Sequence, residues 1–167
     1  EAAAAIDLLS ELVDAGLVQR DDRAGVETRF TMLEPVAEFA RERLDAAGEH
    51  DAASCLLLDW LLGRVGAGDW RRSFAVGEDE IGWFAVWERE LANVRAVLGW
   101  AAAHGLAEPM LRLAAALFLF WWRGAHVAEG RAWLERGFAQ SGDVVEPQAL
   151  AFALAVASAL AHRQDDV

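Results

Sequence analysis

Apolar side chains recur along most of this chain with the spacing of a helical face. Residues 6–13 carry apolar positions three and four apart, and Gly16 follows where a left-handed helix cap is expected. Residues 17–20 and 27–32 are typical of short strands, because polar residues alternate there with apolar or β-prone ones. The run 21–25 between them is turn-like. The pattern therefore predicts a helix followed by a β-hairpin.

Every element predicted after this hairpin is a helix. Pro35 stands in the first turn of the next one, where its missing N–H is harmless, and Gly48 ends it. The later helices are predicted over 80–104, 108–123, 126–140 and 147–162, with a loop over 63–79. The predicted packed faces are Val36, Phe39, Ala40, Leu44 and Ala47; Ala53, Leu56, Leu57, Trp60 and Leu61; Trp83, Trp87, Leu91, Val94 and Leu98; Val127, Gly130, Trp133, Leu134 and Phe138; and Leu150, Leu154 and Leu160.

The predicted fold class is mainly α. Residues 1–48 are expected to form the C-terminal half of a winged helix, and residues 49–167 an antiparallel array of helical hairpins. Helices of about 15 residues joined by short turns marked by Gly or Pro are typical of tetratricopeptide-like repeats. If Gly130 is the small residue at which two helices cross, Trp121 lies nine positions before it and Leu134 four after, as in such a repeat.

Composition excludes several kinds of chemistry. The chain has 167 residues, a net charge of −12 and 15 basic residues, all of them Arg. A P-loop requires Lys, so that phosphate-binding loop is excluded. The single cysteine, Cys55, excludes a disulfide framework and is interpreted as packing on an apolar stripe. The four histidines are scattered singly. We therefore expect no enzyme active site, metal or cofactor in this chain.

No targeting or membrane-spanning segment is predicted. The longest apolar run, 113–122, has ten residues, about half of what a bilayer-spanning helix needs. The first residues show neither a basic region nor a signal-peptide cleavage site. We expect a cytoplasmic protein without membrane contact. Because the chain opens inside a predicted helix, we also expect a piece of a longer protein.

Charge argues against direct nucleic-acid binding by the predicted winged helix. The helix before the hairpin would be the recognition helix. Its polar positions are Asp7, Ser10, Glu11 and Asp14, and it carries no Arg or Lys. A reading helix without a single cation would have to overcome repulsion by phosphate.

Four segments together resemble a known family. They are 12–18 (LVDAGLV), 28–44 (TRFTMLEPVAEFARERL), 90–101 (ELANVRAVLGWA) and 124–136 (GAHVAEGRAWLER). The first two resemble the winged-helix end of bacterial STAND-class (NB-ARC-like) ATPase regulators, and the others resemble the helical segment and first repeat that follow. Such proteins include LuxR-type and antibiotic-regulatory transcriptional regulators. The resemblance runs from Leu9 to about Phe138.

The resemblance implies a place within a larger signal-transduction protein. It places an ATPase core, which binds ATP or ADP, upstream in the same polypeptide, and a DNA-binding domain at one end of the full chain. The winged helix would close onto that core. In the family, the histidine of a Met-His-Asp motif reaches the bound diphosphate, whereas Met32, Leu33 and Glu34 stand here. Leu33 cannot donate a hydrogen bond, so we interpret Met32 and Leu33 as core anchors of the strand end.

Tryptophan is the unusual feature of the helical half. The chain has eight Trp and no Tyr. One interpretation is core packing; the other is a surface for a protein partner or a small effector. The candidate residues for that surface are Trp83, Trp87, Trp121, Trp122, Arg123 and Trp133. Buried Trp121 and Trp122 would each need an acceptor for the indole N–H. The last helix is predicted to leave an apolar face open, for a homodimer or a further repeat.

The leading functional hypothesis is a regulatory and protein-interaction segment. Partner or effector binding on the helical array would be relayed through the winged helix to the ATPase core. Two alternatives belong to other classes: a DNA-binding winged-helix module, and a small-molecule-binding or hydrolytic helical domain built around Trp121 and Trp122.

Overall fold

A computed structural model describes residues 2–22, 28–66, 80–142 and 145–165. They divide into two compact units between Ala52 and Ala53, called here the N-terminal unit and the helical unit. The elements are α1 (Ala2–Asp14), β1 (Gln19–Asp21), β2 (Arg29–Thr31), α2 (Glu34–Ala47), α3 (His50–Val65), α4 (Glu80–Ala103), α5 (Ala107–Ala116), α6 (Phe118–Arg123), α7 (Val127–Gln140) and α8 (Pro147–Asp165). The predicted fold class, mainly α with a partial winged helix, is confirmed.

The N-terminal unit contains the predicted helix and hairpin. Gly16 has the predicted left-handed conformation, with φ 71°. Strands β1 and β2 are antiparallel, with Arg20 opposite Phe30. Each is shorter than predicted, and residues 23–27, which include the predicted turn and the start of the second strand, lie outside the described residues. Asp22 accepts a hydrogen bond from Thr28 and pairs with Arg20. Its pKa is lowered, mainly by the Arg20 hydrogen bond.

The N-terminal unit has almost no core of its own. Among its described residues only Val18 is buried as an apolar side chain. Helix α2 ends at the left-handed Gly48 as predicted, but no residue of α2 is buried. Phe39, predicted on a packed face, is 62% exposed. The exposed large apolar residues of the unit are Ile6, Leu8, Leu17, Phe30, Met32, Leu33 and Phe39. Helix α2 therefore has the predicted apolar periodicity, but no described element of the unit covers its apolar face.

The helical unit holds the hydrophobic core. The predicted face of α4 is confirmed, with Trp87, Leu91, Val94 and Leu98 buried and Trp83 partly so. Helix α5 is buried on nearly all sides, as its continuous apolar sequence predicts.

The predicted face of α3 is correct only in part: Leu61 is buried and Leu57 packs against the core, as predicted. Leu58, Leu61 and Val65 are buried, whereas Leu56 is 72% and Trp60 45% exposed. Cys55 is exposed and therefore is not a packing residue of the core. The physical reason is that α3 has apolar residues on several sides, so periodicity does not select one face. Helix α3 also continues to Val65, through the start of the predicted loop; residues 67–79 lie outside the described residues.

Two of the later segments differ in part from prediction. The predicted helix 108–123 is interrupted at Leu117, which has φ −86° and ψ 18°. Helix α8 begins at Pro147 as predicted, and Glu146 caps it by accepting the N–H groups of Gln148 and Ala149. Its buried apolar residues are Ala149, Ala153, Val156 and Leu160. Leu154 is 53% exposed, so its assignment to the packed face is wrong. No helix in the described part of the chain is both long and apolar enough to cross a membrane.

Candidate interaction surface

Helix α7 carries two glycines on its contact face with α5 and α6, and neither position leaves room for a Cβ atom. A Cβ atom placed on Gly130 would lie 2.4 Å from Cγ of Trp121. Seven residues further on, a Cβ on Gly137 would lie 2.6 Å from Cδ2 of Leu111. Gly130, considered in the sequence as a small residue at a helix crossing, lies against Trp121.

Trp121 has the hydrogen-bond acceptor that its burial requires. Its side chain is fully buried, and Nε1 donates to the carbonyl oxygen of Ala114 over 2.8 Å. Ala114 belongs to α5 and Trp121 to α6, so this bond spans the interruption at Leu117. The indole thus connects the two helical segments while its ring packs against Gly130 of α7.

Some of the residues predicted for the partner surface are buried in the core, and others are partly or fully exposed. Trp87, Trp121 and Trp133 are buried, with Trp133 9% exposed. Trp83 and Trp122 are partly exposed and Arg123 is exposed. The structure brings Trp83 and Trp87 together, with ring centroids 6.1 Å apart. Only Trp83, Trp122 and Arg123 of this set are therefore accessible enough to contact a partner directly.

An ion pair that sequence reasoning missed joins α4 to α7. Arg95 donates to both carboxylate oxygens of Glu129, each over 2.7 Å. Trp133 Nε1 lies 3.4 Å from the same carboxylate and His126 Nδ1 lies 3.7 Å away. Arg95, followed by the Trp133 hydrogen bond, lowers the pKa of Glu129 against the opposing effect of burial, and Glu129 in turn raises the pKa of Arg95. On α4, Glu88 lies 3.3 Å from His126 Nε2.

This ion pair predicts a pH-dependent part of the stability. The pKa of Glu129 lies below its usual value of 4.5 in the folded state. The contribution of the ionised Glu129 side chain to the free energy of unfolding is therefore present above pH 4.5, and it is lost as the pH falls through the lowered pKa. Glu129→Gln is expected to lower stability by about 1 kcal/mol at neutral pH, because Arg95 is half exposed and solvent screens the pair.

Thermal unfolding from pH 7 to about pH 3 measures this effect. The difference in Tm between wild type and Glu129→Gln is expected to narrow on acidification. Glu135→Gln serves as a matched control because it removes an exposed ion pair with Arg131. An equally large and pH-independent difference for both variants would show that Glu129 does not act through its charge.

Helix α8 is attached to α6 and α7 near its C-terminal end. Arg163 Nε donates to the carbonyl oxygen of Trp122 over 3.0 Å, and its guanidinium lies 5.2 Å from the centre of the Trp122 ring. Arg131 Nη1 donates to Gln164 Oε1 over 3.0 Å. These contacts bring the ends of α6 and α8 together beside α7.

The predicted anchoring of Met32 and Leu33 in a core is wrong. Met32 is 44% and Leu33 52% exposed, and Glu34 is exposed and pairs with Arg41 over 3.3 Å. A cavity of about 270 Å³ lies in the same unit between α1 and the hairpin, with Ile6 and Phe30 in its lining. Its lining also includes the polar side chains of Ser10, Asp14 and Arg20.

No metal-binding group of three His, Cys, Asp or Glu side chains occurs in the described ranges. His126 contacts the glutamates named above, and His104 Nδ1 lies 2.9 Å from the carbonyl oxygen of Trp100. These contacts assign the two side chains to packing between or within helices.

Comparison with known proteins relates the chain to transcriptional regulators. It is 33% identical over 133 residues to proteins named "Putative HTH-type transcriptional regulator" from Mycobacterium tuberculosis and Mycobacterium bovis. The match covers 77% of this chain and 14% of each relative, so the chain spans a small part of their length. No family model matches the chain, and no solved structure matches it.

Proposed function

We propose that this chain is a regulatory and protein-interaction segment of a STAND-class transcriptional regulator of the LuxR type. In this proposal the N-terminal unit is the C-terminal half of a winged helix, and the helical unit is a tetratricopeptide-like array. The array receives a protein partner or a small effector. An ATPase core elsewhere in the same polypeptide responds, and the chain itself catalyses no reaction.

The observation that carries the proposal is the similarity to HTH-type regulators over 77% of this chain but only 14% of theirs. The N-terminal unit supports it physically. A unit whose described residues bury a single large apolar side chain is not stable alone, because burial of apolar surface is the main force that opposes chain entropy. Its uncovered apolar face fits a half-domain that is completed by other parts of the polypeptide.

The relay would act through helix packing. Arg95 and Glu129 join α4 to α7, and α7 packs closely on α5 and α6 through Gly130 and Gly137. A ligand that prefers one arrangement of these helices changes the equilibrium between two states of the regulator. Coupling of this kind is typically about 1–3 kcal/mol.

DNA binding by the N-terminal unit is the alternative that the relatives' name raises. The exposed polar side chains of α1 include Asp7, Glu11 and Asp14, and α1 has no cation. Phosphate repulsion therefore disfavours this helix as a DNA reader. A salt-sensitive affinity for duplex DNA that Arg20→Gln abolishes would favour the alternative.

The test uses the reading frame that flanks this chain and the full-length regulator it encodes. An ATPase core upstream is expected. In that protein, Glu129→Gln is expected to change ATP turnover by about fivefold or more, because it breaks the contact between α4 and α7. Glu135→Gln is the control and should leave turnover unchanged. A flanking frame without an ATPase core, or equal turnover in both variants, would contradict the proposal.

A further inference from the structure

The cavity of the N-terminal unit is largely apolar and is reached from its surface. Leu9 and Val13 of α1 and Phe30 of β2 are among the side chains that line it, and its volume is about 270 Å³. Ile6 also belongs to the lining and is 62% exposed, and Phe30 is 41% exposed. Apolar surface of this kind is stabilised when another apolar group covers it. The cavity has room for an apolar side chain of the size of leucine.

Three carboxylates lie along α1 beside this cavity. Asp7, Glu11 and Asp14 are four and three residues apart, so they lie on one side of the helix, and all three are exposed. They are called here the acidic row of α1. Asp14 also lines the cavity, so the row and the cavity form one continuous surface. In the described part of the chain, none of the three carboxylates pairs with a cation.

The charge of the acidic row is not compensated within the N-terminal unit. The last turn of α1 has no basic residue, so Asp14 lies near the negative end of the helix dipole, where a cation is favoured. Arg20 also lines the cavity, but its Nε pairs with Asp22 over 2.6 Å. Carboxylates three and four residues apart on a helix also repel one another. A basic partner would relieve both unfavourable effects.

We propose that the cavity and the acidic row bind a basic amphipathic helix that belongs to the remainder of the full-length regulator. One apolar side chain of that helix enters the cavity. Lys or Arg side chains beside it on the same helix pair with Asp7, Glu11 and Asp14. This inference rests on the proposed function, because it names the chemistry of the segment that completes the N-terminal unit.

The length of the surface favours a helix over a small amine. Asp7 and Asp14 lie seven residues apart, which is about 10 Å along a helix. A second helix alongside presents its own side chains at the same spacing of three and four residues. A small amine with an apolar body would fill the cavity and pair with Asp14, but it would leave the rest of the acidic row uncompensated.

The test is a titration of the 167-residue chain with a fluorescein-labelled helical peptide, followed by fluorescence anisotropy. The peptide repeats the sequence Leu-Lys-Ala-Leu-Lys-Lys-Ala. The comparison probes are the same peptide with Glu in place of Lys, the same peptide with Ala in place of Leu, and phenethylamine as a competitor. We expect salt-sensitive binding of the first peptide alone, with no displacement by phenethylamine.

Replacing the carboxylates tests the acidic row. Asp14→Asn is expected to weaken peptide binding about threefold, the size of effect typical of one exposed ion pair. Asp7→Asn, Glu11→Gln and Asp14→Asn combined should weaken it about tenfold or more. Asp59→Asn is the matched control, because Asp59 is an exposed aspartate of α3 in the helical unit, and its replacement removes the same charge away from α1. That variant should leave peptide affinity unchanged.

Ser10→Phe tests the cavity. Ser10 lines the cavity and is exposed, so a larger side chain there fills the cavity without entering a core. Peptide affinity is expected to fall about tenfold, as the loss of one buried apolar side chain predicts. Circular dichroism verifies that each variant is folded.

The full-length regulator tests the source of the helix. It should bind the peptide about tenfold more weakly than the 167-residue chain, because its own segment occupies the site at high effective concentration. Equal binding by both proteins would reject that source.

Three other results would overturn the inference: equal affinity for the Glu or the Ala peptide, affinity that survives the combined carboxylate replacement or Ser10→Phe, or displacement of the peptide by phenethylamine. All of these leave the ATP-turnover test of the proposed function unaffected. Conversely, peptide binding that depends on the acidic row, together with a flanking frame without an ATPase core, would support the docking surface and reject the proposed function.

Discussion

Gly130→Ala is expected to destabilise the helical unit by about 1–3 kcal/mol, although alanine favours helix formation over glycine by about 1 kcal/mol. The added Cβ would lie 2.4 Å from Cγ and 2.8 Å from Cβ of Trp121. These atoms cannot move aside easily, because Trp121 is fully buried and its indole N–H is bonded to Ala114. Either α6 and α7 must move apart, or the Trp121 indole must break its hydrogen bond to Ala114.

Urea unfolding followed by circular dichroism at about 222 nm measures this loss. Gly99→Ala is the matched control, since Gly99 lies inside α4 and its added Cβ would have no atom within 4 Å other than those of its chain neighbours and the backbone of its own helix. That variant should be more stable than wild type by up to about 1 kcal/mol. Gly137→Ala should fall between them, because its added Cβ would lie 2.6 Å from Cδ2 and 2.8 Å from Cγ of Leu111, a side chain that is not held by a hydrogen bond as the Trp121 indole is. Equal stabilisation by Gly130→Ala and Gly99→Ala would contradict the crossing described above.

The positions of glycine and proline along the chain made much of the fold predictable. Gly16, Gly48 and Gly105 have positive φ, and Pro147 begins α8, because these residues favour helix ends for backbone reasons that do not depend on tertiary contacts. The packed face of α4 was predictable as well, since its large apolar residues recur in steps of three and four from Trp83 to Leu98.

The packed face was not predicted correctly in helices that have apolar residues on more than one side. In α3 and α8 the choice between Leu56 and Leu58, or between Leu154 and Val156, depends on where the neighbouring helices lie. The interruption at Leu117 has no Pro or Gly signal. It occurs among buried residues, where tertiary packing outweighs local preference.

The contacts at the candidate interaction surface were predictable only where the sizes of the side chains indicate which residues meet. The spacing of Trp121 and Gly130 identifies a large residue opposite a small one. Arg95 and Glu129 lie 34 positions apart, and Arg163 lies 41 positions from Trp122. A charged residue on a helix surface has many possible partners at such distances, so the chain alone does not indicate which pair forms.

Trp121→Ala is expected to destabilise the helical unit by about 3–5 kcal/mol, the largest effect of a single substitution predicted for this protein. It removes the ring that fills the crossing with α7 and the indole N–H that bridges α5 and α6. Trp121→Phe separates these roles, since it keeps an aromatic ring but removes the donor to Ala114. Trp121→Phe should lose less stability than Trp121→Ala. The loss should be concentrated near the interruption at Leu117 and should be observed as faster amide hydrogen exchange in α6 than in α4.

A double-mutant cycle joins the two predictions. If Gly130→Ala destabilises by collision with the indole, the collision with Cγ and Cδ1 disappears in a Trp121→Ala background, and only the contact with Cβ remains. There Gly130→Ala should cost clearly less than in the wild-type background, giving a coupling energy of about 1 kcal/mol or more between the two positions. Additive effects would mean that α7 does not rest on Trp121. Trp133→Phe is the control background, because Trp133 lies on α7 itself and its Nε1 contacts Glu129 rather than the α5 backbone. In that background the Gly130→Ala penalty should remain, since the indole that opposes the new methyl group is still in place.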